Sequence, residues 1–407
     1  MSSKREQVSP REAALWIAER LCEHGHVAYF AGGCVRDRLL GIEPSDFDVA
    51  TDARPDRIQE LFHSAVGVGE SFGVMLVRRG GHAIEVATFR SDGPYQDGRH
   101  PVSVTFSDAR SDAARRDFTV NAIFEDPSTG ELVDHFNGRE DLDRGILRAV
   151  GDAPSRMAED HLRALRAVRF AARFSFEIEA ATAEAIRDSV GDLDGVSRER
   201  IGGEIRRMLA HPSRVRAAAL LESFGLDAPV LLESSLDSAA HPVLAVLGER
   251  ERPPIDGVAA WLIDRHGSEA NDHVEAIRDA LLLSNQEHRT LEGVLSTEQA
   301  LREDWISFGV AARKRLAALD VFPVALELLG ARDSGLHDRV IEDLEPLRAT
   351  GLAPDPMLDG NDLITIGLKP GPDFKSILDA VYDAQLEGRV VDRKTAVELA
   401  RELATRG

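Results

Sequence analysis

Asp46 and Asp48 flank Phe47, shortly after the run Gly32-Gly33-Cys34-Val35-Arg36-Asp37. Carboxylates so spaced on a strand point to opposite faces, unless a strand end or bend brings both to one metal. A glycine-rich turn entering a helix lets backbone N–H groups meet a phosphate. Together these predict a site that holds a nucleoside triphosphate by its phosphates and two divalent ions by carboxylates. That is equipment for phosphoryl or nucleotidyl transfer. Mg2+ suits it, because carboxylate and phosphate oxygens are hard ligands. Arg36, in the first turn after Gly33, could clamp a triphosphate bidentately. A capped helix start beside a polar strand end is the plain alternative.

Two further clusters can do chemistry. Arg115-Arg116-Asp117-Phe118-Thr119-Val120-Asn121-Ala122 gathers two guanidiniums, a carboxylate and an amide. It can hold a ribose hydroxyl and a phosphate, or simply form a surface ion pair. Glu159-Asp160-His161-Leu162-Arg163 continues to Arg166, Arg169 and Phe170. At helical spacing, Asp160, Arg163, Arg166 and Arg169 spread over roughly half a helix circumference. That is a solvated face, or a device for reading bases. Cytosine and adenine both carry an exocyclic amine beside a ring-nitrogen acceptor. A carboxylate accepts from the amine and an arginine donates to the ring nitrogen. Guanine and uracil would turn a carbonyl oxygen toward the carboxylate. A fixed Asp–Arg pair therefore selects C and A without a template.

The elements that must position these groups are legible in outline. Helical spacing covers 8–24, with Ser9-Pro10 as its start signal. A short strand follows at Val27–Ala31, a helix at Cys34–Leu40, a strand at Phe47–Ala50 and a helix at Pro55–Phe62. Gly73–Arg79 and His82–Phe89, joined by Gly80-Gly81, predict a hairpin. Ser91–Arg99 reads as a loop and Val102–Phe106 as a strand. After Pro154, helical periodicity dominates to about 348, and a Pro/Gly-rich link at 351–360 precedes a last helical segment from about 374 to 405. Trp16, Trp261 and Trp305 are expected in cores. The layout is an α/β head followed by all-α parts.

The chain has 407 residues, 29% charged and 43% hydrophobic, enough for two to four globular domains. It shows no membrane span, no signal peptide, and only Cys22 and Cys34, so a reducing cytoplasm is expected. A formal charge of −21 argues against bulk nucleic-acid binding. Arginines nevertheless cluster at 156–173 and 198–216, a basic strip that would fit one defined RNA. A GC-rich or salt-adapted genome would explain the composition equally well.

The ordered motifs resemble a known family. G-G-x-V-R-D, D-x-D and R-R-D-F-T-x-N-A are followed by Asp134-His135-Phe136-Asn137-Gly138-Arg139-Glu140-Asp141-Leu142, then E-D-x-x-R-x-x-R-x-x-R-F and Ser197-Arg198-Glu199-Arg200-Ile201. This series is similar to the class II tRNA nucleotidyltransferases, the CCA-adding enzymes that share ancestry with bacterial poly(A) polymerases. It is dense over about 25–210 and returns at Gly360–Leu363 and Gly367–Pro372. The resemblance implies a polymerase β-type head at 1–150, a helical neck for base recognition at 151–215, a helical body at 216–348 and a tRNA-binding helical tail at 349–407.

It implies template-independent addition of CCA to tRNA from CTP and ATP, with Mg2+, no membrane and no protein partner. Asp46 and Asp48 would be the catalytic, metal-binding carboxylates. Gly33 and Arg36 would contact the incoming nucleotide, and Arg116 with Asp117 its triphosphate and ribose. Asp160 and Arg163 would be the amino-acid template, supported by Arg166 and Arg169. The region of Gly138 would help the head move between additions. The loop between Arg90 and Phe106 favours complete CCA addition over CC addition alone. Poly(A) polymerases usually end in a strongly basic extension, whereas the last stretch here is mixed and the chain acidic, but a poly(A) polymerase or a partial CC- or A-adding enzyme stays the alternative. No H-x-x-x-H-D pattern predicts a hydrolase activity. Ser111-Asp112 departs from the acidic pair that often precedes the double arginine, which leaves the local loop geometry open.

Overall fold

A computed structural model describes residues 8–69, 73–93, 103–236 and 240–406. The chain divides into two compact units, one over Met1–Met208 and Arg216–Asp237, the other over Leu209–Val215 and Ser238–Gly407.

The first unit opens with α1 (Pro10–Glu23), started by a Ser9–Glu12 capping box with Pro10 in the first turn. Then come β1 (Ala28–Ala31), α2 (Gly33–Leu39), β2 (Asp48–Thr51), α3 (Pro55–Leu61) and β3 (Val66–Gly69). The hairpin β4 (Val74–Arg79) and β5 (His82–Thr88) turns at Gly80 and Gly81. Their φ values of 59° and 92° are the positive angles a tight hairpin needs. Arms β6 (Arg90–Asp92) and β7 (Val104–Phe106) pair antiparallel. Residues 94–102, the centre of the loop expected here, lie outside the described residues. There follow α4 (Ala109–Ala114), a 3-10 turn at Thr119–Asn121, β8 (Ile123–Glu125), β9 (Leu132–Asp134) and α5 (Gly138–Arg144).

Seven strands form one mixed sheet in the order β3-β4-β5-β2-β1-β8-β9. β2 runs antiparallel to β1 and parallel to β5. Ala31, Ala50, Phe89, Ala122 and Phe124 lie buried in one apolar cluster on it. Gly138 has a packing reason: a Cβ there would lie 2.1 Å from the Thr119 carbonyl oxygen. β10 (Ile146–Leu147) and β11 (Glu177–Ile178) pair in parallel, a contact that the helical periodicity of this stretch hides. Between them run α6 (Ala153–Glu159) and α7 (Arg163–Phe174), and after them α8 (Ala180–Asp188), α9 (Arg198–Ala210), α10 (Arg214–Ser223) and α11 (Asp227–Leu231).

The second unit is helical: α12 (Pro242–Val246), α13 (Pro254–His266), α14 (Val274–Leu281), α15 (Asn285–Glu303), α16 (Val310–Ala317), α17 (Phe322–Arg332), α18 (Ser334–Ala349) and α19 (Gly360–Thr365). Where one last helical segment is expected, two helices stand, α20 (Asp373–Leu386) and α21 (Arg393–Arg406). Gly388, at φ 74°, turns the chain, and Asp392 accepts from Thr395 N to restart it. Trp261 and Trp305 are fully buried as expected. Trp16 is only half-buried, with the Arg79 guanidinium 4.0 Å over its ring. No described helix is long and apolar enough to cross a membrane.

Candidate active site

The site lies wholly in the first unit. Its floor is the start of β2. Asp48 is the first residue of that strand, opposite Ala31 of β1, and Asp46 sits on the approach to it. This is the strand-end placement that can turn two alternate carboxylates toward one region. The parallel register Val49↔Val86 sets Glu85 of β5 beside Asp48. Asp46, Asp48 and Glu85 border one cavity of about 330 Å³. Desolvation, then the like charge of Glu85, and more weakly that of Asp46, raise the Asp48 carboxyl to about 6 against the pull of Arg116. Among the described residues none of the three has an ion-pair partner. Sequence reasoning missed Glu85. Its strand and the strand that carries Asp48 were both legible, but their parallel pairing was not.

Asp48 also lines a second, larger cleft of about 530 Å³. Seven arginines and three aspartates line it, with Gly32, Gly33, Asn121 and Phe170. In a chain of charge −21 this is a local basic pocket, suited to a polyphosphate.

Asp112 organises one wall. Buried within α4, it accepts Arg115 Nε on one oxygen at 2.9 Å and Arg116 Nη2 on the other at 3.0 Å. Arg116 also donates to the Asn121 carbonyl at 3.2 Å. A Cβ on Gly32, whose φ is 70°, would lie 2.8 Å from Arg116 Nη1, so only glycine lets that guanidinium rest on the turn. Gly33 begins α2 and faces the cleft. Arg36 reaches the cleft too, but Asp37 holds its Nε at 2.7 Å and Asn121 its Nη1 at 2.5 Å. Phe170 and Phe174 stack against it at 5.0 and 4.6 Å. In this state Arg36 braces α2 against α7.

The neck forms the other wall, and here one expectation needs correction. Asp160 is not on the helix that carries the arginines. It ends α6 with φ −143° and ψ 100°, and its Oδ1 accepts the N–H of Leu162 at 3.2 Å. That side-chain turn breaks the helix, and α7 restarts at Arg163. Nor does Asp160 pair with Arg163. Glu159, the last residue of α6, takes its Nη1 at 2.8 Å. The Arg156 and Arg115 carbonyls accept the same guanidinium at 2.7 and 3.1 Å. Asp160 instead meets Arg200 of α9.

Arg166 donates Nε and Nη2 to Asp117 Oδ2 at 2.9 and 2.7 Å. Asp117 also accepts Asn121 Nδ2 and the Phe118 N–H. Burial pushes the Asp117 carboxyl up, but Arg166 and these hydrogen bonds prevail and hold it at about 2. Arg169 donates to buried Glu204 at 2.5 Å. Arg36, Arg166 and Arg169 thus surround the Phe170 ring, the last at 4.3 Å.

Comparison with known proteins fits this geometry. The Poly A polymerase head domain matches residues 28–148, and the probable RNA- and SrmB-binding site of polymerase A matches 175–236. The CCA-adding enzyme of Geobacillus stearothermophilus is 34% identical over 401 residues, 95% of this chain and 96% of that protein. The chain belongs to the CCA-adding enzyme family. A second CCA-adding enzyme, from Lactobacillus delbrueckii subsp. bulgaricus, is 31% identical over 402 residues, covering 94% of this chain and 96% of its own. The crystal structure of the Bacillus stearothermophilus CCA-adding enzyme in complex with CTP matches 98% of both chains, with a TM-score of 0.73 and 29% identity. In this CCA-adding family member the two matched segments hold the floor carboxylates and α9. Asp160, Arg163, Arg166 and Arg169 fall between them.

Proposed function

We propose that the protein adds C, C and A to the 3′ end of tRNA from CTP and ATP, releasing pyrophosphate at each step, in one active site. The observation that carries this is a shared cleft: Asp48 of the head and Asp160 and Arg163 of the neck line the same arginine-rich pocket. Family membership over nearly the whole chain supports it.

Asp46, Asp48 and Glu85 fit a divalent cation. They are hard oxygen donors bordering one cavity, and among the described residues none has an ion-pair partner. Mg2+ is the ion we assign. Bound there, such ions activate an attacking hydroxyl and offset the charge of leaving pyrophosphate. The remaining work is done by side chains. Arg116, held by Asp112, and Gly33 receive the triphosphate, with Arg36 beside them. Asp117 contributes to ribose and phosphate placement through Arg166. Asp160 accepts the exocyclic amine of C or A, and Arg163 donates to the ring nitrogen with N–H groups its anchors leave over. Arg169 backs the pocket through Phe170. Guanine or uracil would leave a half-buried carboxylate facing an oxygen, at a cost of roughly a few kcal/mol.

In this reading residues 1–150 are the nucleotidyltransferase head, 151–215 the neck, 216–348 the body and 349–407 the tail. Body and tail hold the acceptor arm through phosphate contacts, so tRNA affinity should fall with salt. A cytoplasmic site of action fits the two free thiols, Cys22 and Cys34.

The test is product length. tRNA transcripts lacking CCA, or ending in C or CC, are incubated with CTP, ATP or both. CCA addition completes each end to CCA and stops. A long adenylate ladder would instead show a poly(A) polymerase, and a halt after CC a partial enzyme.

A further inference from the structure

The run Ser197-Arg198-Glu199-Arg200-Ile201 stands behind the neck wall. It opens α9, which Arg198 pins by donating to the Pro229 carbonyl at 2.8 Å and Ile201 by complete burial. From that anchored helix, Arg200 and Glu204 project one turn apart, so they share a face. Glu204 grips Arg169, and Arg200 grips Asp160. One face of α9 therefore holds two of the groups that line the cleft.

The Asp160 contact is specific in its geometry. A single nitrogen, Arg200 Nη2, donates to both carboxylate oxygens, at 2.9 Å to Oδ1 and 3.0 Å to Oδ2. Oδ1 also accepts the Leu162 N–H. A carboxylate offers about four acceptor positions, two on each oxygen. Both positions on Oδ1 are occupied and one on Oδ2 is occupied. One acceptor position remains, on Oδ2. Asp160 sits in a short turn outside any helix, so its backbone alone does not fix the carboxylate plane.

We infer that Arg200 is a positioning residue for nucleotide choice: it fixes the Asp160 carboxylate so that a single acceptor position faces the cleft, matched to one exocyclic amine. This rests on the base-reading role proposed above for Asp160. Without Arg200 the carboxylate can rotate, present either oxygen, and take a water that bridges to a carbonyl. Uracil and guanine are then tolerated. Arg200 does not touch the nucleotide; it acts through Asp160.

The experiment measures kcat/KM for CTP, ATP, UTP and GTP on tRNA primers, for the full-length wild type, Arg200→Ala, Arg200→Lys, Asp160→Ala and the double variant Asp160→Ala/Arg200→Ala. Thermal melts accompany each protein. Arg200→Ala is expected to lose discrimination against UTP and GTP by about tenfold or more, more than it loses CTP and ATP turnover. Arg200→Lys, which supplies a single donor nitrogen, should restore most of the selectivity. In the Asp160→Ala background, removing Arg200 should change selectivity no further. An equal loss for all four nucleotides in Arg200→Ala, with selectivity intact in Arg200→Lys as well, would mark Arg200 as merely structural and overturn the inference while leaving Asp160 as the reader. Additive losses in the double variant would also overturn it. Unchanged selectivity in Asp160→Ala would remove the base-reading role itself, and the inference with it.

Discussion

The head floor and the neck wall meet at Asp48, which lines the neck's cleft, and they differ in electrostatic state. On the floor, Asp46, Asp48 and Glu85 are crowded like charges, and among the described residues none has a cationic partner. On the neck wall the arginines and acids are matched in pairs: Asp160 with Arg200, Glu159 with Arg163, the head's Asp117 with Arg166, Glu204 with Arg169. The floor is suited to a cation from outside. The wall is complete as folded, which is what a group that must reject wrong bases needs, because a fixed donor and acceptor cannot adapt to them. Under the proposed function, charge left over would mark where chemistry happens, and charge cancelled where choice is made.

The largest expected effect breaks the floor. Asp48→Asn should lower nucleotide incorporation on the order of 10³-fold or more. Because it removes an unpaired carboxylate, its melting temperature in metal-free buffer should not fall. Added Mg2+ should raise the wild-type melting temperature and leave that of the variant nearly unchanged. A destabilised Asp48→Asn protein would contradict the floor's description.

Breaking the wall should cost stability instead. Asp117→Ala removes a carboxylate held at about 2 by Arg166 and its hydrogen bonds. Against about 3.9 in an unfolded chain, that shift is worth about 2–3 kcal/mol. The sign is that of a depressed acid: the contribution is complete above the unfolded value and disappears as pH falls from about 4 to about 2. The gap between wild type and Asp117→Ala in denaturant melts should therefore be widest at neutral pH and shrink by roughly this amount in acid. The smallest effect sharpens the contact between turn and wall. Gly32→Ala places a Cβ against Arg116 at a positive φ, at an expected cost of about 1–3 kcal/mol, and raises KM for nucleotide more than it lowers kcat.

What was legible in the sequence divides along similar lines. Local signals worked: Ser9 with Glu12 opens α1, Gly80-Gly81 closes the β4–β5 hairpin, and Asp46 and Asp48 stand at a strand start. Two features escaped for nonlocal reasons. Glu85 gains meaning only from the parallel register of β5 on β2, which no stretch of sequence contains. Asp160 follows the helical spacing of the residues after it, yet its own side chain caps the break, and its partner lies forty residues on in α9. The division of the tail into α20 and α21 had signals in plain view, Gly388 and the Asp392–Thr395 cap, which helical periodicity alone overlooks.

One measurement tests the separation of the two regions most directly: incorporation of each of the four nucleotides into a tRNA primer by Asp48→Asn and Asp160→Ala side by side. The account predicts that Asp48→Asn loses all four together, while Asp160→Ala still turns over and accepts UTP and GTP alongside CTP and ATP. If Asp160→Ala keeps wild-type selectivity, or if both variants simply lose all four nucleotides alike, floor and wall do not divide chemistry from choice.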